Sequence, residues 1–506
     1  MMNSSRMKTY HFEGTLKPNE GEEFLQCYLH FPFDVPEGVS EIHLRLAYFP
    51  LKVWIIDNLI TLGLFDPDGF RGNAHRHPPD SGVVVSLRIA SPGFMAGAII
   101  PGTWTALLAA HAVVVEQEPC KYTLDIELRY GDSHPQVTLP AAPTLPISAP
   151  EMKVEIISQK TVLSVLDDHL SNRRAISSMK GVGFDNSAHL RLEKPGWFRG
   201  ELHAHTLHSD GAFSLAEIVA RALDRKLDFL VIADHNTMTA FKELENLDTH
   251  GLLVIPAIEL TTFHGHALAL GVNEWIDWRT GYQDWTIEKA ADLTRVLGGV
   301  FIMAHPNDIG NPFCTGCKWE YADFDLSKAD GIEIWNGMWR QENEDNLHMW
   351  QKLQACGSHL VATAGCDFHD DTQWSEGAPF TYIYAEKLTV PALLQGIRHR
   401  QVWISNGPHL DISVSDAVNG DRAGIGETFI TNIDSVNLNV IWTDVPSETR
   451  LVVICRKGIN CESIIKENGY AQFSMITSVD DDLWIELYSR AGNLLAMTNP
   501  VSVHRI

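Results

Sequence analysis

The chain is short of positive charge. It carries 39 Lys and Arg against 64 Asp and Glu, a formal net charge of −25 over 506 residues, and no basic cluster interrupts the deficit. A broad nucleic-acid-binding face needs segregated positive charge, so that class of partner is not expected. Nowhere do about 18 apolar residues run uninterrupted, and the opening MMNSSRMKTYHFEGTLKPNEGEEF holds no apolar core of signal-peptide length. These absences predict a cytoplasmic protein that makes no use of a membrane. Cysteine is sparse too: 8 residues scattered along the chain suit thiols in a reducing compartment better than a disulfide framework. Only Cys314 and Cys317, in CTGC, have metal or redox spacing; no second pair follows, and a loop turn is expected there. A G-X-S-X-G elbow, a Walker-type Gly-rich loop and a dinucleotide fingerprint are all missing, which removes the commonest competing catalytic schemes.

What is present divides into segments. The length predicts roughly three domains, and a composition 45% hydrophobic and 20% charged is that of a folded globular protein. Residues 1–130 read as short alternating strands, among them GVVVSLRIA, HAVVVEQ and KYTLDIELRY, and predict a β-sandwich. Residues 131–196 form a connecting segment that opens with prolines from Pro135 to Pro150, which favour an extended linker. Over 197–408 apolar strands alternate with amphipathic helices, the rhythm of an α/β layer or barrel. In FSLAEIVARALDRKL, Ser214 and Glu217 have capping-box spacing, and Leu215, Ile218, Val219 and Leu223 share a face. From 409 to 506 alternation returns in VNLNVIW, LVVICRK and LWIELYS, predicting a second β-sandwich.

Functional side chains in α/β sheets gather just beyond the carboxyl ends of the strands. In GELHAHTLHSDG, His203 and His205 are alternate residues closing one strand, placed to share a metal ion. Asp234 and His235 close FLVIADH, Glu259 closes VIPAIE, His305 follows VFIMA, and Asp367 follows VATAGC with His369 two residues on. This succession of imidazoles and acids points to a metal centre.

HAHTLHSDG, ADHNT, AIEL, MAHP and GCDFH also occur in the order of the motifs of the PHP (polymerase and histidinol phosphatase) metallohydrolases, which residues 197–408 resemble. WFRGELHAHT, GIEIWNG and the SNGP ending are similar to the branch named for a carbaryl-hydrolysing enzyme, the CehA/McbA-like proteins. The resemblance implies a distorted seven-stranded β/α barrel, here flanked by the two sandwiches, holding up to three divalent ions, commonly zinc, manganese or iron. By position, one ion would take His203, His205, Glu259 and Asp367. Glu259 would bridge to a second on His266 and His305, and a third would use Asp210, His235 and His369. Asp234 is assigned to orienting a ligand histidine. His266 precedes its apolar run HALALGV, so its strand must leave the site, as a hairpin from Glu259 would; His264, two residues away, is the alternative ligand.

A metal cluster with open positions makes hydroxide available near neutrality, so hydrolysis is the expected chemistry. Three divalent ions less the three carboxylates Asp210, Glu259 and Asp367 leave about three positive charges, which favours a small phosphate ester attacked by a metal-bridging hydroxide. Carboxyl-ester or carbamate hydrolysis is the alternative implied by the branch resemblance. The non-enzyme alternative is a structural-metal protein whose sandwiches bind carbohydrate or protein. An amidohydrolase-type barrel would need a bridging lysine at a later strand end, and none is found. His208 is a candidate proton donor to the leaving group. Lys318 and Trp319, in the long loop NDIGNPFCTGCKWEYADF, and Trp335 and Asn336, after GIEI, are candidate substrate contacts. Trp335 and Trp339 also suit packing, and the Arg398–Arg400 run suits capping of a helix end. The expected partner is a small-molecule ester, with oligomerisation open to the sandwiches.

Overall fold

The computed structural model describes residues 7–116, 118–131, 194–416, 421–476 and 479–506. The expected proline-rich connecting segment lies outside them, apart from its ends. Residues 7–130 form two four-stranded antiparallel sheets. One contains Met7–Leu16, Cys120–Tyr130, Val39–Phe49 and Gly82–Ser86; the other Leu25–Val35, Gly102–Val113, Leu59–Asp66 and Gly69–Ala74. Alternation sends Ile42, Leu44, Leu124 and Ile126 of the first into one apolar cluster with Phe31, Leu62, Leu64 and Trp104 of the second.

The central region is a mixed sheet. Its strands are β1 (Gly196–Glu201), β2 (Phe229–Ile232), β3 (Leu253–Thr261), β4 (His266–Leu270), β5 (Val300–Met303), β6 (Gly331–Asn336), β7 (Val361–Gly365), β8 (Phe380–Ala385) and β9 (Val402–Ser405). They lie in the order β7-β6-β5-β4-β3-β2-β1-β8-β9. Pairing is parallel for β1–β2, β2–β3, β5–β6 and β6–β7. Strand β4 is antiparallel to both neighbours, because Thr261 pairs with His266 across a tight hairpin, and β8 is antiparallel to both β1 and β9. Beyond β7, Phe368 bridges Ala204 just past β1, with the His205 N–H donating to the Phe368 carbonyl at 2.9 Å and the Phe368 N–H to that of His203 at 3.0 Å. The two ends of the seven-strand run therefore meet at the segments that carry the histidines.

Helices α1 (Leu215–Asp224), α2 (Ile287–Val296), α3 (Gln341–Ala355) and α4 (Val390–Arg398) cover the sheet. Helix α1 starts where the sequence predicts: the Glu217 N–H donates to the Ser214 hydroxyl and the Glu217 carboxylate accepts the Ser214 N–H. Its Leu215, Ile218, Val219 and Ala222 are buried against strands such as β2, all four of whose residues are buried. Each buried Leu, Ile or Val side chain contributes about 1.5–3 kcal/mol by leaving water, which fixes the strand ends on which the site is built.

The central sheet continues into strands from beyond residue 408. Trp403 and Ser405 of β9 pair with Thr498 and Ala496, so the strand Leu494–Thr498 extends the central sheet. A free edge on β9 would leave a row of backbone groups unpaired. A separate four-stranded sheet contains Arg422–Gly424, His409–Ser415, Ser435–Thr443 and Gly469–Ile476, and shares an apolar cluster with Trp403, Val453 and Ile485.

Candidate metal centre

His203 and His205 follow β1 directly and are fully buried. The backbone there is held by Glu201, whose carboxylate accepts the N–H groups of His203 (2.9 Å) and Cys366 (2.8 Å) and the indole N–H of Trp374 (2.9 Å). The chain then turns back so that Asp210 joins the histidines. Asp234 organises that turn, accepting from the Thr206 N–H (2.7 Å), the Thr206 hydroxyl (2.8 Å) and the Ser209 hydroxyl (2.7 Å). Those contacts differ from the expectation that Asp234 grips a ligand histidine: three hydroxyl and amide donors occupy it, and it acts through the loop. Gly211 is needed because a Cβ there would stand 2.3 Å from the His205 carbonyl oxygen.

Four groups of side chains converge, each with its potential ligand atoms within 4.8 Å of one another: His203, His205, Glu259 and Asp367; Glu259, His266 and His305; His205, Asp210, His235 and His369; and His203, His305 and Glu333. In the first, His205 Nε2 lies 2.9 Å from Asp367 Oδ1, and the Nε2 atoms of both histidines lie 3.4 Å from Glu259 Oε2. In the second, Glu259 Oε1 is 3.0 Å from His266 Nδ1 and 3.3 Å from His305 Nε2. In the third, Asp210 Oδ1 is 3.1 Å from His369 Nε2 and 3.4 Å from His235 Nε2. Of the two histidines left open by sequence, the hairpin buries His266 among these groups. The Thr262 hydroxyl, taking the His264 N–H, turns the chain so that His264 points outward to Glu320.

These atoms suit a cation. His203 Nε2, Asp210 Oδ1 and Glu259 Oε2 are buried and make no hydrogen bond despite their close neighbours; an unsatisfied buried polar group costs about 1–3 kcal/mol. His305 and Asp367 hold left-handed backbone, φ 29° and 50°, the kind of strain found at functional sites. Burial opposes the charge on Glu259, yet His235, His203 and His266 outweigh it and hold its carboxyl well below the usual range. Asp367, surrounded by His203, His369 and His205, is held down against burial in the same way.

The back of each imidazole is also engaged. His266 Nε2 lies 2.9 Å from the Thr315 carbonyl and His305 Nδ1 3.2 Å from that of Cys317. The CTGC loop thus turns the opposite nitrogens toward Glu259. Cys314 and Cys317 are disulfide-paired there, and the other six cysteines are free. His203 Nδ1 lies 3.1 Å from Glu333 Oε1. Glu333 and Glu201 escaped the sequence reading; for Glu333 the available signal was an acid within the apolar run GIEIW, every residue of β6 being buried.

The remaining candidates lie elsewhere. His208 has both nitrogens occupied, Nδ1 by Thr239 (2.7 Å) and the Gly93 N–H, Nε2 by Glu243 (2.8 Å), so a proton-donor role is not supported. Trp335 is buried with its N–H on the Gly337 carbonyl, and Asn336 is buried against Glu333 and Asn343. Both build the wall behind the site and do not line its mouth. Trp319 packs edge-on to Tyr321 and Phe324, and Lys318 is exposed. Arg398 lies in the last turn of α4, and its guanidinium donates to the carbonyls of Gly298 and Gly299, in the turn that follows α2.

No family model and no curated protein matches the chain. Among solved structures it is similar to a two-domain protein from Bacteroides vulgatus containing a PHP-like metal-dependent phosphoesterase, at 15% identity over 61% of this chain and 96% of that one, TM-score 0.37. It is also similar to a protein from Bifidobacterium adolescentis described as a metal-dependent phosphoesterase, at 17% identity over 34% of this chain and 88% of that one, TM-score 0.25. A third is an amidohydrolase from Chromobacterium violaceum with bound sulfate, at 17% identity over 34% and 87%, TM-score 0.26. The solved structures that this chain is similar to thus include metal-dependent phosphoesterases, one of them PHP-like.

Proposed function

We propose that this chain is a metal-dependent hydrolase of the PHP type, a phosphoesterase acting on small phosphate esters. The observation that carries the reading is the convergence of His203, His205, Asp210, His235, Glu259, His266, His305, Asp367 and His369 into three groups joined through Glu259 and His205. Bound divalent ions, up to three and of the zinc, manganese or iron kind, would supply Lewis acidity and an activated water. The Ala204–Phe368 bridge supports a barrel closed at its ends, and the paired sheets before and after it support flanking sandwiches.

The chain's own residues do the rest. Glu259 is 1% exposed and sits between two groups, whereas Asp367 and His369 are each 25% exposed. Substrate therefore approaches from the Asp367 and His369 side, and the inner histidines stay dry. That open side favours a catalytic centre over a structural one, which protein ligands would close. Glu333 adds a fourth carboxylate to the charge count, leaving about two positive charges with three divalent ions and neutral imidazoles. That still favours an anionic ester. Glu201, Glu333 and the CTGC carbonyls keep the ligands in place as the substrate's charge is redistributed. No helix among the described residues is long and apolar enough to cross a membrane.

The test is metal analysis of the purified chain with a hydrolysis panel of phosphate monoesters, phosphodiesters, aryl esters and carbamates. Metal-dependent turnover of a phosphate ester is expected. Full metal content with no turnover would return the structural-metal reading, and turnover of only aryl esters or carbamates would replace the substrate class.

A further inference from the structure

The N-terminal unit reaches the candidate centre. Its strand Gly69–Ala74 runs out toward the turn that carries Asp210, and the next residues are His75, Arg76 and His77. His75 is 1% exposed, its ring centroid lies 4.2 Å from that of His235, and neither of its nitrogens has a hydrogen-bond partner. Arg76 holds left-handed backbone, φ 51°, and its Nε lies 3.7 Å from Asp210 Oδ2, while Asp210 Oδ1 stays with His235 and His369. The Arg76 side chain is 45% exposed, and those of Asp367 and His369 are each 25% exposed.

This placement is built. Arg71, buried in the same strand, is fixed by Asp66 (2.9 Å) and the carbonyls of Ala98 and Met95. Gly93 is a docking point: its carbonyl accepts from the Asn73 N–H (2.9 Å) and the Thr237 hydroxyl (3.3 Å), and its N–H donates to His208 Nδ1 (3.2 Å). A Cβ on Gly93 would come within 2.3 Å of the Asn73 carbonyl and 2.8 Å of that of His208, so only glycine permits the approach. Stability does not explain Arg76, because a half-exposed ion pair contributes little. A planar fork of N–H donors beside a centre that favours anions has an evident use.

We propose that Arg76, supplied by the N-terminal unit, is a substrate-binding residue that grips the non-bridging oxygens of a phosphoryl group held at the Asp210, His235 and His369 side of the centre. The inference rests on the phosphoesterase reading and adds to it that the N-terminal unit selects the anionic group. Nε faces Asp210 and Nη2 lies 3.8 Å from Cys314 Sγ, so the oxyanion would be gripped through Nη1.

The test titrates inorganic phosphate into metal-loaded full-length protein by calorimetry at fixed ionic strength, for wild type, Arg76→Gln and Arg76→Lys, with metal content measured on each sample. Wild type is expected to bind phosphate. Arg76→Gln should weaken binding roughly ten- to a hundredfold, the scale of a lost charge-assisted pair, at unchanged metal content, and Arg76→Lys should recover part of it. The KM for an aryl phosphate should rise with the loss of binding. Equal phosphate affinity in wild type and Arg76→Gln would overturn the assignment and leave the phosphoesterase reading standing. Loss of metal from Arg76→Gln would also overturn it, making Arg76 a positioning residue for Asp210. A metal-loaded wild type that neither binds phosphate nor hydrolyses its esters would end both.

Discussion

Replacing Glu333 with glutamine removes a charge behind a candidate ligand while keeping its shape. Glu333 Oε1 and Oε2 lie 3.1 and 3.3 Å from His203 Nδ1, and Oε2 also accepts the Asn336 amide at 3.0 Å. A carboxylate behind a ligand imidazole makes its far nitrogen more basic, and losing such a partner costs about 10–100-fold in metal affinity. At 1.36 kcal/mol per tenfold, that is about 1.4–2.7 kcal/mol. Glutamine keeps only one acceptor oxygen, so His203 or Asn336 loses its partner, a further cost to the fold of about 1–3 kcal/mol. The assay is competition with a fluorescent chelator, read beside metal stoichiometry and a thermal melt. Affinity within about twofold of wild type would refute the positioning argument. A drop of one whole ion would refute it differently, making Glu333 a ligand, since His203, His305 and Glu333 also satisfy the proximity expected of a metal group.

Glu259→Gln should remove metal from two groups at once and reduce turnover at least a hundredfold, on the order of 3 kcal/mol or more; undiminished metal content and turnover would contradict its bridging place. The metal-stripped protein should be most stable near pH 6.5. Burial opposes the charged forms of His305 and His369, but Glu259 raises the first to about 9, and Asp367 with Asp210 the second to about 10. Both lie above the unfolded value of about 6.5, so their contribution is complete below that pH and fades as pH climbs through about 9 and 10. Burial and the charges of His369 and His235 lower His205 to about 4, so its contribution fades as pH falls from about 6.5 toward 4. A melting temperature that rises steadily from neutrality to pH 10 in chelator-treated protein would contradict this. Gly316→Ala should weaken metal binding at His266 and His305. Gly316 has φ 74°, and a Cβ there would meet the Thr262 carbonyl at 2.1 Å and the His266 ring at 3.1 Å. The strain is on the order of 1–3 kcal/mol, and unchanged metal stoichiometry and melting temperature would show that the loop absorbs it.

The sequence by itself determined whatever rests on local pattern. Apolar runs such as FLVI have one low-energy fate, burial in a covered sheet, so their carboxyl ends marked His203, His205, Asp234, His235, Glu259, His305 and Asp367 in advance. The Ser214–Glu217 cap and the reversal between Glu259 and His266 are equally local, made by residues a few positions apart. Only the tertiary structure decided contacts between distant segments. Glu333 stands behind His203 across 130 residues, the strand Leu494–Thr498 completes the edge of β9, and Arg76 reaches Asp210 from another sheet. Periodicity along a chain reports which face of an element is buried, but not what covers it. Pairing partners are chosen by packing and by satisfying backbone and charged groups across loops of any length, and for that reason the roles of His208, Trp335 and Asn336 changed when the chain was folded.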